Sequence, residues 1–257
     1  PAIAEAVDAI VARIESGGRL IYVGAGTSGR LAVLDAAECP PTFGVPRTLV
    51  KALIAGGRKA LTQAVEGAED SASNAVRDLK KARLSRNDVV VGVAASGSTP
   101  YVVAAVAFAK RRKALTIGVA SNRDCPLRSA VDIAITPEVG PEILTGSTRL
   151  KAGTSEKLVL NMLSTAVMVR LGHVYDNLMI DMALTNQKLR ERSTRILVEA
   201  SGQNLRAVEH ALRQSGHDLR LALVMLKKGV SAAAAQKKLK ESKGNLRAAL
   251  GEQGKNG

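Results

Sequence analysis

Short unbroken apolar runs alternate, over the first 135 residues, with stretches whose apolar side chains recur every three or four positions. Ile3, Val7, Ile10, Val11 and Ile14 predict a helix over 2–16, stopped by Gly17-Gly18. Apolar runs at about 19–23, 48–54, 88–94, 115–119 and 131–135 predict five strands, the third (Asp88-Val89-Val90-Val91-Gly92-Val93-Ala94) being the clearest. Helices are predicted behind the first strand to about residue 37, where Pro40-Pro41 should end it, near 58–66, over 70–82 and from Pro100 to about 111. Continuous apolar strands separated by helices predict an α/β fold, a doubly wound five-stranded parallel sheet covered on both faces. After the Gly- and Thr-rich turn 144–149, a nearly all-apolar helix is expected over 151–172.

Beyond about residue 190 the strand pattern stops. Ala200-Ser201-Gly202-Gln203-Asn204-Leu205-Arg206-Ala207 and Lys243-Gly244-Asn245-Leu246-Arg247-Ala248 echo each other, each reading as a turn followed by an Asn-capped helix start. Two domains are therefore expected, 1–187 for the α/β part and 188–257 for a small, basic, all-helical one of three or more helices.

Composition sharpens this picture in three ways. The chain of 257 residues has no Trp, three Tyr and two Phe, so its core must be aliphatic. No uncharged apolar run reaches the roughly 18 residues that a membrane helix needs, and no basic-then-apolar leader opens the chain. A cytoplasmic protein without membrane contact is expected. Cys39 and Cys125 make neither a disulfide framework nor a metal spacing, and both are expected as reduced thiols. The chain opens at Pro1 rather than Met, so an upstream segment is expected to have been removed. Of the net charge of +14, residues 188–257 carry +9, from 15 basic against 6 acidic residues. No zinc pattern or aromatic RNA-binding motif accompanies those bases, so they read as a solvated face that collects anionic substrates, not as a nucleic-acid surface.

The candidate chemistry begins at Gly24-Ala25-Gly26-Thr27-Ser28-Gly29, where a strand enters a glycine loop and the loop enters a helix. Such a loop offers free backbone N–H groups and a helix N-terminus to a phosphate. It also matches a dinucleotide fingerprint, but that reading wants an acid at the end of the second strand, and Ala55-Gly56-Gly57 stands there. The Thr27 and Ser28 hydroxyls point instead to a small anion; a merely structural turn is the remaining reading. Ser96-Gly97-Ser98-Thr99 repeats the design behind the third strand, with more hydroxyls than a helix cap requires and Pro100 at the first helical position. Two such loops at the carboxyl ends of parallel strands face one crevice.

Two acids stand out. Glu38, between Ala37 and Cys39, has apolar neighbours that predict a carboxyl able to keep its proton near neutrality. Glu69 follows Glu66-Gly67-Ala68; Glu66 reads as a solvated helix residue and Asp70 as a helix N-cap. Carboxyls in different environments suit one acid and one base. Glu142 either bonds a sugar hydroxyl or caps a loop. His173, His210 and His217 read as surface or packing residues, and no metal site is visible.

Gly24–Leu31, Asp35-Ala36-Ala37-Glu38-Cys39-Pro40-Pro41-Thr42, Ala64–Asp70, Ala94–Tyr101 and Leu158–Thr165 together resemble the N-acetylmuramic acid 6-phosphate etherase family. The resemblance covers essentially the whole chain. It is also similar to the animal glucokinase regulatory protein, which shares the first glycine loop. The family resemblance implies a sugar isomerase (SIS) domain with a small helical C-terminal domain, a homodimer, and a lyase that needs neither metal nor nucleotide cofactor. It implies Glu38 as the acid protonating the departing lactate oxygen and Glu69 as the base that takes the C2 proton of the ring-opened sugar. Gly26, Thr27, Ser28, Ser96, Gly97, Ser98, Thr99 and Glu142 are the expected substrate contacts. Members of the family carry a further N-terminal segment ahead of the helix that opens this chain. A non-catalytic sugar-phosphate sensor and an aldose–ketose isomerase are the competing functions.

Overall fold

The computed structural model describes residues 1–182, 187–242 and 244–252. Five parallel strands, β1 (Leu20–Gly24), β2 (Val50–Ile54), β3 (Val89–Val93), β4 (Leu115–Val119) and β5 (Ile133–Ile135), lie in the order β2-β1-β3-β4-β5. Every residue of β1 and β3 is buried, which explains their unbroken apolar runs: helices cover both faces. The doubly wound α/β fold is as expected.

Helix α1 (Ala2–Glu15) buries Ala6, Val7, Ile10 and Val11 and packs against β5. Helix α2 (Gly26–Phe43) starts in the glycine loop. Pro40 and Pro41 do not end it; both lie inside it. Proline's fixed φ suits a helix, and two missing N–H groups so near the end leave few carbonyls unpaired. The stop is Gly44, at φ +65°, whose N–H bonds the Pro40 carbonyl and where a Cβ would collide with the Asp181 carbonyl oxygen.

The helix expected over 58–66 is only a 3₁₀ turn, Gly57–Leu61, because left-handed Gly56 precedes it, left-handed Gly57 opens it and left-handed Gly67 follows. A second 3₁₀ turn, Ala68–Asp70, leads into α3 (Ala72–Lys81), whose cap is Ser71 rather than Asp70; the Ser71 hydroxyl accepts the Asn74 N–H. Helix α4 (Pro100–Arg111) covers β3 so closely that a Cβ on Gly92 would stand 2.8 Å from Val106. A short helix α5 (Pro126–Ala130), not legible in the sequence, precedes β5, and α6 (Lys151–Arg170) matches the long apolar segment.

Contacts divide the chain into two units: residues 1–39 with 46–167, and residues 40–45 with 168–257. The second has its own core around Leu197, Val208, Leu212, Leu223 and Leu239, built by α7 (Gln187–Ser201), α8 (Leu205–Gln214), α9 (Leu219–Lys228), α10 (Ala232–Glu241) and α11 (Leu246–Ala249). The sequence echo is a capping device: Asn204 and Asn245 accept the N–H groups of Ala207 and Ala248. Lys243, the first residue of the second echo, lies outside the described residues.

Candidate functional site

The strand order reverses direction between β1 and β3, the place where parallel sheets bind ligands beyond their carboxyl ends. Gly24 of β1 is in register with Val93 of β3, so the loops at 25–29 and 94–99 leave the sheet side by side.

The first loop is built by steric necessity. A Cβ on Gly24 would lie 2.7 Å from the Gly29 N, and one on Gly29 would lie 2.6 Å from Ile54. Only two glycines let strand and helix approach so closely. Gly26, exposed and at φ +51°, opens α2. Arg30 then donates to the carbonyls of Leu61 (3.2 Å) and Gln63 (3.1 Å), which draws the 61–69 segment over the loop. The result is a cleft of about 260 Å³ lined by Gly26, Arg30, Gln63, Glu66 and Glu69, among others. Glu69 and the glycine loop thus line the same cleft. Glu66, read from the sequence as a solvated acid, lines the same cleft.

In the second loop Gly97 is left-handed at φ +68°, and a Cβ there would collide with the Cys125 thiol. Ser96 Oγ accepts the Ser98 N–H (3.2 Å) and hydroxyl (3.0 Å). Thr99 occupies the N-cap position of α4 without making a side-chain cap bond, so this hydroxyl cluster is not an ordinary cap.

Other expected residues are placed differently. The Ser28 hydroxyl does not point outward at an anion; it is buried and donates to both carboxyl oxygens of Glu156, 2.9 Å away. Glu142 accepts the N–H groups of Lys151 and Ala152 at 3.0 Å, so it caps α6; those bonds hold its carboxyl below the usual range. Glu38 is exposed in the single chain, so the apolar enclosure expected for it is not found there. It is also remote from the cleft: the twelve residues from Gly26 to Glu38 along α2 span about 18 Å. Cys39, beside it, turns inward, and burial pushes its thiol up to about 12. His173 is a packing residue of the second unit, 2.7 Å from Asp181. Among the described residues no three His, Cys, Asp or Glu side chains gather as metal ligands, and no helix is long and apolar enough to cross a membrane.

Two buried acids had no site role in the sequence reading. Asp35 of α2 accepts from Tyr22 (3.0 Å), Asn161 (2.7 Å) and Ser164 (3.0 Å), joining β1, α2 and α6; burial raises its pKa against those three hydrogen bonds. Glu156 of α6 is fully buried, with Ser28 as its hydrogen-bond partner. The available signal was an acid inside a nearly all-apolar helix, where it needs a polar partner.

Residues 2–110 match the model of the glucokinase regulatory protein N-terminal SIS domain, and residues 65–166 match the SIS domain model. The chain is 55% identical over 250 residues to proteins named N-acetylmuramic acid 6-phosphate etherase from Yersinia pestis (strain Pestoides F) and Yersinia pseudotuberculosis serotype O:1b (strain IP 31758). That match covers 97% of this chain and 85% of each relative. Among solved structures, a phosphoheptose isomerase from Francisella tularensis is similar in fold, with 20% identity and a TM-score of 0.51 over 66% of this chain and 86% of its own.

Proposed function

The chain belongs to the N-acetylmuramic acid 6-phosphate etherase family, and on that premise we propose that it cleaves the D-lactyl ether of N-acetylmuramic acid 6-phosphate. The products are N-acetylglucosamine 6-phosphate and D-lactate. The observation that carries the reading is the cleft in which Glu69 faces the glycine loop at the sheet's switch point.

In this reading the phosphate is held by the Ser96-Gly97-Ser98-Thr99 cluster and by the backbone N–H groups at Gly26, Thr27 and Ser28. Glu69 takes the C2 proton of the ring-opened aldehyde sugar. The C3–O bond to lactate then breaks, and Glu38 supplies a proton to the leaving oxygen. Water adds across the resulting C2–C3 double bond, putting a hydroxyl on C3 and a proton back on C2. Each acid–base role contributes about 10²–10⁴-fold. Glu142, which caps α6, serves the site by holding that helix start.

Glu38 stands about 18 Å along α2 from Gly26, which lines the cleft with Glu69, so the reading includes a homodimer in which Glu38 reaches the partner's cleft. Leu34, Leu158 and Met162 support it. They are apolar and roughly half exposed, on α2 and α6, and Leu34 is one helical turn before Glu38. Cys39 and Cys125, both unpaired, fit the reducing cytoplasm in which we place the reaction.

The test is to incubate the protein with N-acetylmuramic acid 6-phosphate and assay D-lactate. Release in proportion to enzyme supports the reading. Binding of the sugar phosphate with no lactate would replace it with the sensor, and sugar isomerisation without lactate would replace it with the isomerase.

A further inference from the structure

Glu156 sits one turn inside α6, fully buried, directly behind the first turn of α2. Its carboxylate has room for about four hydrogen bonds, yet Ser28 Oγ is its hydrogen-bond donor, 2.9 Å from each oxygen. No Lys, Arg or His pairs with it among the described residues. The surrounding charges are engaged elsewhere. Asp35, further along α2, takes Tyr22, Asn161 and Ser164; Lys157 is exposed and acts on Asp35; Arg30 donates to Leu61 and Gln63; Glu142 holds the N-terminus of α6. One turn before Glu156, Gly153 lies against Thr27, so the seam between the two helices is tight.

A negative charge here and a phosphate on the glycine loop would both sit at the same helix N-terminus, one behind it and one in front. Two anions at one positive helix end oppose each other, and the low dielectric of a buried site strengthens the opposition. We propose that Glu156 is a positioning residue that, through Ser28, sets the anion affinity of the glycine loop: high while its carboxyl is neutral, lower once it ionises. The inference rests on the loop being a phosphate site, as in the reaction above.

Protonation supplies the switch. Burial pushes the Glu156 carboxyl up to about 7, against the opposing pull of the Ser28 hydrogen bond. The free enzyme therefore changes form near neutral pH, and binding a phosphate dianion draws a proton onto Glu156. By linkage, affinity for the sugar phosphate falls as pH rises through that value. The substrate phosphate, with a second pKa near 6, is already dianionic there and adds little of its own.

Glu156→Gln is the informative variant, since an uncharged amide of the same shape still accepts from Ser28. Between pH 6.5 and 8.5 the wild-type KM for N-acetylmuramic acid 6-phosphate is expected to rise on the order of 10-fold. The Gln variant should show a flat KM with kcat unchanged, a split that a merely structural role would not produce. Calorimetric titration with N-acetylglucosamine 6-phosphate near pH 7.5, in buffers of different ionisation enthalpy, gives a readout apart from turnover. The wild type should take up a fraction of a proton on binding, and the variant none. Equal KM profiles or equal proton uptake in the two proteins overturn the inference while lactate release still stands. Absence of lactate release by the wild type overturns the functional reading itself.

Discussion

The two ends of one sheet are built on opposite terms. At the amino ends of β1 and β3, Arg19 and Asp88 form a paired clamp. The Arg19 guanidinium donates to Asp88 at 3.0 and 2.6 Å, and the backbone N–H groups of Arg19 and Ser85 fill the remaining acceptor positions. The other guanidinium N–H groups reach the carbonyls of Ala82 and Arg83. Asp88 is 1% exposed, and burial alone would raise its pKa, but Arg19 and Ser85 outweigh that and hold it below the usual carboxylate range. At the carboxyl ends Gly26 and Gly97 adopt left-handed backbone, Thr99 makes no cap bond, and Glu66 and Glu69 stand exposed in a cleft. The paired end ties strands together. The other end keeps donors and acids available to a ligand, and Glu156 behind it remains a buried carboxyl with one hydroxyl for company.

Substitutions separate the two ends, beginning with the largest effect. Glu69→Gln and Glu38→Gln are each expected to lower lactate release by about 10²–10⁴-fold while leaving the melting temperature unchanged, since both side chains are exposed. A large drop in melting temperature would return either acid to a structural role. Asp88→Asn should do the reverse: about 3 kcal/mol less stability, because Arg19 loses its buried partner, with kcat per folded molecule intact. The pH dependence has a definite sign. A depressed folded-state pKa stabilises the protein above the unfolded value, about 4, and that stabilisation is lost as pH falls through the lower folded value. Denaturant titrations across pH 2–6 should therefore show an acid-side decline in the wild type that shrinks in Asp88→Asn. An unchanged decline would mean that other carboxylates cause it.

Much of this was legible in the sequence, because strands buried on both faces announce themselves as unbroken apolar runs and the glycine loops as local motifs. Helix caps at Asn204 and Asn245 were also local, hence readable. The failures came where distant contacts decide. Pro40-Pro41 looked like a stop, yet the helix ends at Gly44, against Asp181. Residues 58–66 looked helical, but left-handed glycines and the pull of Arg30 fold them over the cleft. Ser28 looked like a ligand hydroxyl because nothing nearby in sequence reveals Glu156, 128 positions later. Glu38 is singled out by its neighbours, whereas its separation from the glycine loop follows only from the length of α2.

The length of α2 supports the central proposal, that the two acids meeting one sugar belong to two chains. The direct measurement mixes unfolded Glu38→Gln and Glu69→Gln chains, refolds them together and assays D-lactate. A mixed dimer then holds one site with both acids and one with neither, so recovery of about a quarter of wild-type activity is predicted for random pairing. If both acids act from the same chain, every site carries one lesion, and no activity above that of the separate variants would contradict the account.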